Sequence, residues 1–198
     1  MNKQRNLNTR KLVLLALLTA IVVVLQVLAV ILPIYPFTLT LVLVPMVIGA
    51  ALVGTAAGGW LGLVFGFAVL LSGNANVFLA VNAIGTVTVV LLKGIFAGLA
   101  AGAVYRLFAG KNKTVAAVAA AVICPVVNTG IFIIGSYVFF LSTLEEWGAA
   151  AGFADVTAFI FIGMIGLNFI IELAINLVLS PVIVRLIQYG QDRKVTIS

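Results

Sequence analysis

Long apolar stretches, broken by short polar punctuation, run the length of this chain. A helix needs roughly 20 apolar residues to cross the hydrocarbon core of a bilayer. The first stretch covers about residues 11–32. Pro33-Ile34-Tyr35-Pro36-Phe37 ends it, predicting a short, stiff, aromatic loop. Residues 39–72 are apolar throughout, too long for one crossing, and predict two short spans at about 39–54 and 58–72. Their turn is expected between Gly54 and Gly59, where Thr55 and paired glycines sit without charge. Ser72-Gly73-Asn74-Ala75-Asn76 reads as a loop, and further spans follow at about 82–108, 115–141 and 158–187. The expectation is a single transmembrane domain over 1–198, an all-α integral membrane protein forming a compact bundle of six transmembrane helices. Five spans remain open if residues 39–72 are not a hairpin.

The charges supply an orientation. Of 11 Lys/Arg, most gather around Lys3 to Lys11, Arg106 to Lys113 and Arg185 to Lys194. Glu145, Glu146 and Asp155 share one other connector. Loops rich in Lys/Arg stay in the cytoplasm, so six crossings place both termini and the 110–113 loop inside and the acidic connector outside. An odd number would leave one basic end on the wrong side.

Composition removes whole classes of function. A mean hydropathy of +1.33 leaves no room for a soluble domain. The basic pI of about 9.8 is accounted for by residues flanking apolar runs, so no nucleic-acid partner is expected. The chain has no histidine and one cysteine, Cys124, which disfavours most hydrolytic and metal chemistry and predicts no cofactor. No Gly-xxxx-Gly-Lys-Ser/Thr phosphate loop is present, so ATP hydrolysis must come from another chain. The chain is not expected to be an enzyme. The basic N-terminus followed by an apolar run superficially resembles a signal peptide, but the run is as long as a full span, and it is read as a retained helix.

Small residues form stripes: Gly54, Gly58, Gly62 and Gly66, then Gly94, Gly98 and Gly102, each spaced by four. Such stripes let another helix backbone approach. They serve either packing inside the bundle or a surface that docks on another membrane protein. Ala16 and Ala20 make the same kind of groove on the first helix.

Ionisable and amide groups within spans mark an interior or a cavity. Lys93 lies about 16 Å along the fourth span and Glu172 about 21 Å along the sixth, at 1.5 Å per residue. Both spans are expected to run inward, so the two residues sit at comparable depth and can pair. Asn168, Glu172 and Asn176 share a face, with Asn128 in the fifth span and Asn82 at the outer end of the fourth. Either these groups satisfy one another or they bind a polar solute. With Tyr35, Phe37, Asn74, Asn76 and Trp147 in the outer loops, they describe an aromatic lid over a small polar cavity.

These features together resemble the substrate-binding S components of energy-coupling factor (ECF) vitamin transporters. The resemblance rests on length, layout, Ala16-Leu17-Leu18-Thr19-Ala20 as the Ala-xxx-Ala motif, and Val44-Pro45-Met46-Val47-Ile48-Gly49-Ala50 before the glycine ladder, similar to the riboflavin/pantothenate-type branch. It implies capture of a vitamin or vitamin precursor outside, under the loop joining helices one and two. It also implies partners: a membrane coupling subunit (EcfT-like) and two cytoplasmic ATPase subunits, in a prokaryotic plasma membrane. Ala16 and Ala20 would dock, and Tyr35 and Phe37 would gate. Asn82, Lys93, Asn128, Asn168 and Glu172 are the cavity candidates by depth and polarity. The alternative is a stand-alone proton-coupled carrier using Glu172. Which vitamin is bound stays open, because pairing of Lys93 with Glu172 would remove the preference for an anion.

Overall fold

The computed structural model describes residues 2–31 and 41–195, with side chains over 9–31 and 41–189. Among these, all regular structure is helical. The elements are α1 (Asn2–Ile31), α2 (Leu43–Leu52), α3 (Thr55–Leu71), α4 (Asn76–Val81), α5 (Ala83–Ala109), α6 (Lys113–Phe139), α7 (Leu141–Ala150), α8 (Val156–Ala158) and α9 (Leu167–Val195). A π-helical segment, Phe159–Gly166, joins α8 to α9. Among the described residues, four stretches are long and apolar enough to span a membrane: Thr9–Ile31, Ala83–Ala109, Lys113–Phe139 and Val156–Tyr189. The apolar helices α2 and α3 are shorter.

The break in residues 39–72 is tighter and earlier than the glycine pattern predicts. It falls at Val53 and Gly54, and Gly58 and Gly59 lie inside α3. Gly54 turns the chain at φ 139°, a conformation that side chains with a Cβ rarely adopt. Asparagines start the next two long helices: Asn82 Oδ1 accepts from Gly85 N at 2.9 Å, and Asn112 Oδ1 accepts from Thr114 N at 2.9 Å. The acidic connector is itself helical over α7, and Asp155 caps α8 by accepting from Ala158 N at 2.8 Å.

The glycine stripes pack against each other. A Cβ on Gly62 would strike the carbonyl oxygen of Gly94, and one on Gly94 would strike that of Gly62. Gly58 and Gly98 repeat the reciprocal contact one turn along, and Gly102 meets the backbone of Thr55. The stripes on α3 and α5 therefore form an internal seam and leave no glycine groove for another protein. Side chains buried beside this seam, Leu61, Ala97 and Ala101, belong to a core shared with Met46 of α2 and Cys124 of α6. A smaller cluster of Phe140, Leu144, Ile160 and Ile165 joins the end of α6, α7 and the π-helical segment. Helix α1 leans on α2 and α3 and buries Leu18 and Val22, while Leu12, Leu17 and Val24 stay exposed. Apolar side chains facing outward all along a helix are what lipid requires.

Candidate functional site

One cavity of about 300 Å³ lies where α5, α6 and α9 converge, towards the end of the bundle that carries the 72–75 turn and α4. Helix α6 packs extensively on both α5 and α9, which puts α6 between them. Lys93 enters the cavity from α5, Asn128 from α6, and Asn168 and Glu172 from α9. Four of the five polar cavity residues expected from depth thus come together. The fifth does not. Asn82 is absent from the lining, and its side-chain oxygen is taken by the cap of α5. Its position just before a helix start is the signature of an N-cap. Tyr35 and Phe37, expected as a gate, lie outside the described residues.

The polar groups in the cavity are not satisfied by one another. Among the described residues, Lys93 and Glu172 make no ion pair within 4.0 Å. The Lys93 ammonium instead sits over two aromatic faces, 5.3 Å from the Phe132 ring centre and 5.8 Å from that of Phe65. Such distances allow cation–π attraction. Glu172 is 5% exposed, and its Oε1 has no hydrogen-bond partner. Asn128 is 6% exposed, and its Oδ1 likewise has none. The stripe on α9 divides: Asn176 turns back and donates to the carbonyl oxygen of Glu172 at 2.9 Å, whereas Asn168 lines the cavity. Buried polar groups are almost always bonded, so two open acceptors in one cavity need an explanation.

Several lining residues were not anticipated. Gln26 of α1 is buried and reaches Ser72 Oγ through its Nε2 at 3.3 Å. A lone amide inside the first apolar run was the available signal. Thr86 and Thr129 add hydroxyls, and Phe78 joins Phe132, Phe140 and Trp147 in edge-to-face contacts with centroids 5.1 to 5.8 Å apart. Trp147, expected in an aromatic lid, stands in this cluster. Asn74 also faces the cavity. The π-helical segment delivers Met164 and Ile165 to the wall; π turns are frequent at functional sites.

A small, mixed polar and aromatic cavity enclosed by apolar helices fits a solute-binding membrane subunit. Residues 10–184 match the family model described as ECF transporter, substrate-specific component. The chain belongs to that family. It is therefore a multi-pass membrane protein of the ECF substrate-specific component type, whose members are transporter subunits and not enzymes, and which associate with an EcfT-like coupling subunit and ATPases. Comparison with curated proteins and with solved structures gave no match.

In this ECF component Ala16 and Ala20 both lie on the exposed side of α1. Thr19, between them, accepts a hydrogen bond from Trp60 Nε1 at 3.2 Å and donates to the Leu15 carbonyl at 2.8 Å. That contact ties the middle of α1 to α3 and leaves the alanine face outward. A second, almost wholly apolar groove of about 520 Å³ runs between α1, α2 and α9, lined by Leu14, Leu18, Pro45, Ile48 and Leu179.

Proposed function

We propose that this ECF component captures a vitamin or vitamin precursor in the α5/α6/α9 cavity and delivers it inward when docked to its coupling subunit and two ATPases. The observation that carries this reading is the convergence of Lys93, Asn128, Asn168 and Glu172, from three helices, on one cavity of about 300 Å³. Two of these residues keep open acceptors, which a ligand would fill. The cavity lies near the end expected to face outward, by the positive-inside bias of the Lys111/Lys113 loop at the other end of α5. Both termini are then cytoplasmic, α2 and α3 complete a six-helix domain, and the host membrane is a prokaryotic plasma membrane. Membership of the riboflavin/pantothenate-type branch is part of the same reading, supported by the Val44–Ala50 stretch alone. The exposed Ala16/Ala20 face of α1 is the docking surface, because small side chains let a partner helix approach closely.

The test is uptake in vesicles or cells that lack other S components. Vitamin uptake that requires the coupling subunit and ATP, and is lost in Lys93→Met and Asn128→Leu, supports the reading. Uptake by the chain alone, abolished when the proton gradient is dissipated and lost in Glu172→Gln, would replace it with a proton-coupled carrier.

A further inference from the structure

The cavity offers two kinds of unmet demand, and they sit on different helices. On α5 the Lys93 ammonium faces the rings of Phe65 and Phe132 and makes no carboxylate ion pair within 4.0 Å among the described residues. Aromatic faces attract a cation but leave its hydrogen-bond donors free for an anion. On α9 the buried Glu172 carboxyl keeps Oε1 unbonded, which calls for a donor. Asn128, on the helix between them, has an unbonded acceptor as well. Lining by Phe65, Phe78, Phe132 and Phe169 supplies flat apolar walls. A volume of about 300 Å³ is at the small end of ligand sites, room for one or two rings.

From this geometry we propose that the ligand is bipolar: a small ring-bearing molecule with an anionic group held by Lys93 and a nitrogen hydrogen-bond donor held by Glu172. This deepens the reading above and rests on it. A ligand with an anion alone leaves Glu172 unbonded and sets a second negative group in the same desolvated space. A ligand with a cation alone sets its charge against Lys93. Only a molecule carrying both groups meets both demands without leaving a buried charge unpaired. The phenylalanine faces then stack on its ring.

The experiment measures binding to the purified full chain in detergent with three ring probes of one size. They are 4-(aminomethyl)benzoate, which carries both groups, 4-methylbenzoate, the anion alone, and 4-methylbenzylamine, the cation alone. The expected result is at least tenfold tighter binding of the bipolar probe than of either other. Glu172→Gln should abolish its advantage over 4-methylbenzoate, and Lys93→Met its advantage over 4-methylbenzylamine. Equal binding of a one-ended probe and the bipolar one, or failure of all three to bind, overturns the proposal. The ranking is read on the unmodified chain, so it stands even if a variant does not fold. Nicotinate, a vitamin acid whose ring nitrogen carries no hydrogen to donate, separates the two readings in the same assay. If it binds more tightly than 4-(aminomethyl)benzoate and this is lost in Asn128→Leu, vitamin capture stands and the bipolar ligand falls. If neither the probes nor a vitamin panel binds, both fall.

Discussion

Helix α5 takes part in two regions built on opposite principles. Through Gly94 and Gly98 it meets α3 backbone to backbone, and through Gly102 it abuts Thr55. Through Lys93, next in sequence to Gly94, it opens into the cavity shared with α6 and α9. The seam leaves no room for a methyl group, and the cavity is lined by large aromatic side chains around unmet polar atoms. Adjacent residues on one helix thus face a close-packed seam on one side and a cavity on the other. The difference implies that substitutions in the two regions should separate cleanly: one set destroys the fold and spares no function, the other removes binding from an intact bundle.

The largest effect is expected at the seam. Gly62→Ala puts a methyl group onto the Gly94 carbonyl, a backbone atom that cannot move aside as a side chain can. A loss of about 3 kcal/mol or more is expected, at the upper end of overpacking costs. Thermal unfolding in detergent and the monodisperse fraction on size exclusion measure it. Gly130→Ala on α6 is the control, since nothing lies within 4 Å of its added Cβ. It should be neutral, or stabilising by up to about 1 kcal/mol through helix propensity. Similar losses in the two variants would mean that the α3/α5 contact is looser than described.

In the cavity the signs should reverse. Asn128→Leu removes a buried amide whose oxygen has no partner, so the apo protein should unfold at the same temperature or higher. Ligand affinity should fall by about a hundredfold, or roughly 2.7 kcal/mol, within the range for leaving a ligand's buried polar group unmet. Measuring melting temperature and dissociation constant on the same preparation decides the matter. A variant that loses both would place Asn128 with the structural residues of the seam.

A third outcome belongs to the outer face of α1. Ala20→Leu adds bulk to an exposed position, so fold and ligand affinity should be unchanged. Affinity for the coupling subunit should fall about tenfold, near 1.4 kcal/mol, and energised uptake should fall with it. Co-purification with the coupling subunit, set beside ligand binding by the isolated chain, reads the two separately. Unchanged co-purification would move the docking surface elsewhere, with the apolar groove between α1, α2 and α9 the next to probe.

How far the sequence revealed these regions depends on what each is made of. Glycines four apart carry their meaning in the spacing, and both stripes proved to be one seam except for Gly54, which makes the turn before α3. Lys93, Asn128, Asn168 and Glu172 were legible because a charge or amide deep in an apolar run has few places to go. That Lys93 and Glu172 form no ion pair was not legible, since depth along two helices says nothing about rotation around them. Phe65, Phe78 and Phe132 left no signal at all: lipid is as apolar as a core, so a ring facing a cavity and a ring facing the bilayer look alike in a membrane span. The π-helical segment also leaves no mark, because Phe159–Gly166 is uniformly apolar apart from its glycines. Gln26 was a lone amide of the same kind as Asn128, and only its place in the outermost helix hid it.

Asn82 tests the same comparison at its finest grain, because it sits at the start of α5, one turn before Thr86 of the cavity wall. Its Oδ1 is occupied by Gly85 N, and its carbonyl accepts from Thr86 Oγ1 at 2.7 Å. The side chain therefore holds the end of the helix, and the hydrogen bond to a cavity residue is made by the backbone. Asn82→Ala should cost about 1 kcal/mol of stability through the lost cap, and Asn82→Ser should recover most of it. Ligand affinity should be the same in both. A loss of affinity in Asn82→Ala that Asn82→Ser fails to restore would show that the amide itself reaches the ligand, and would extend the binding region past the cap.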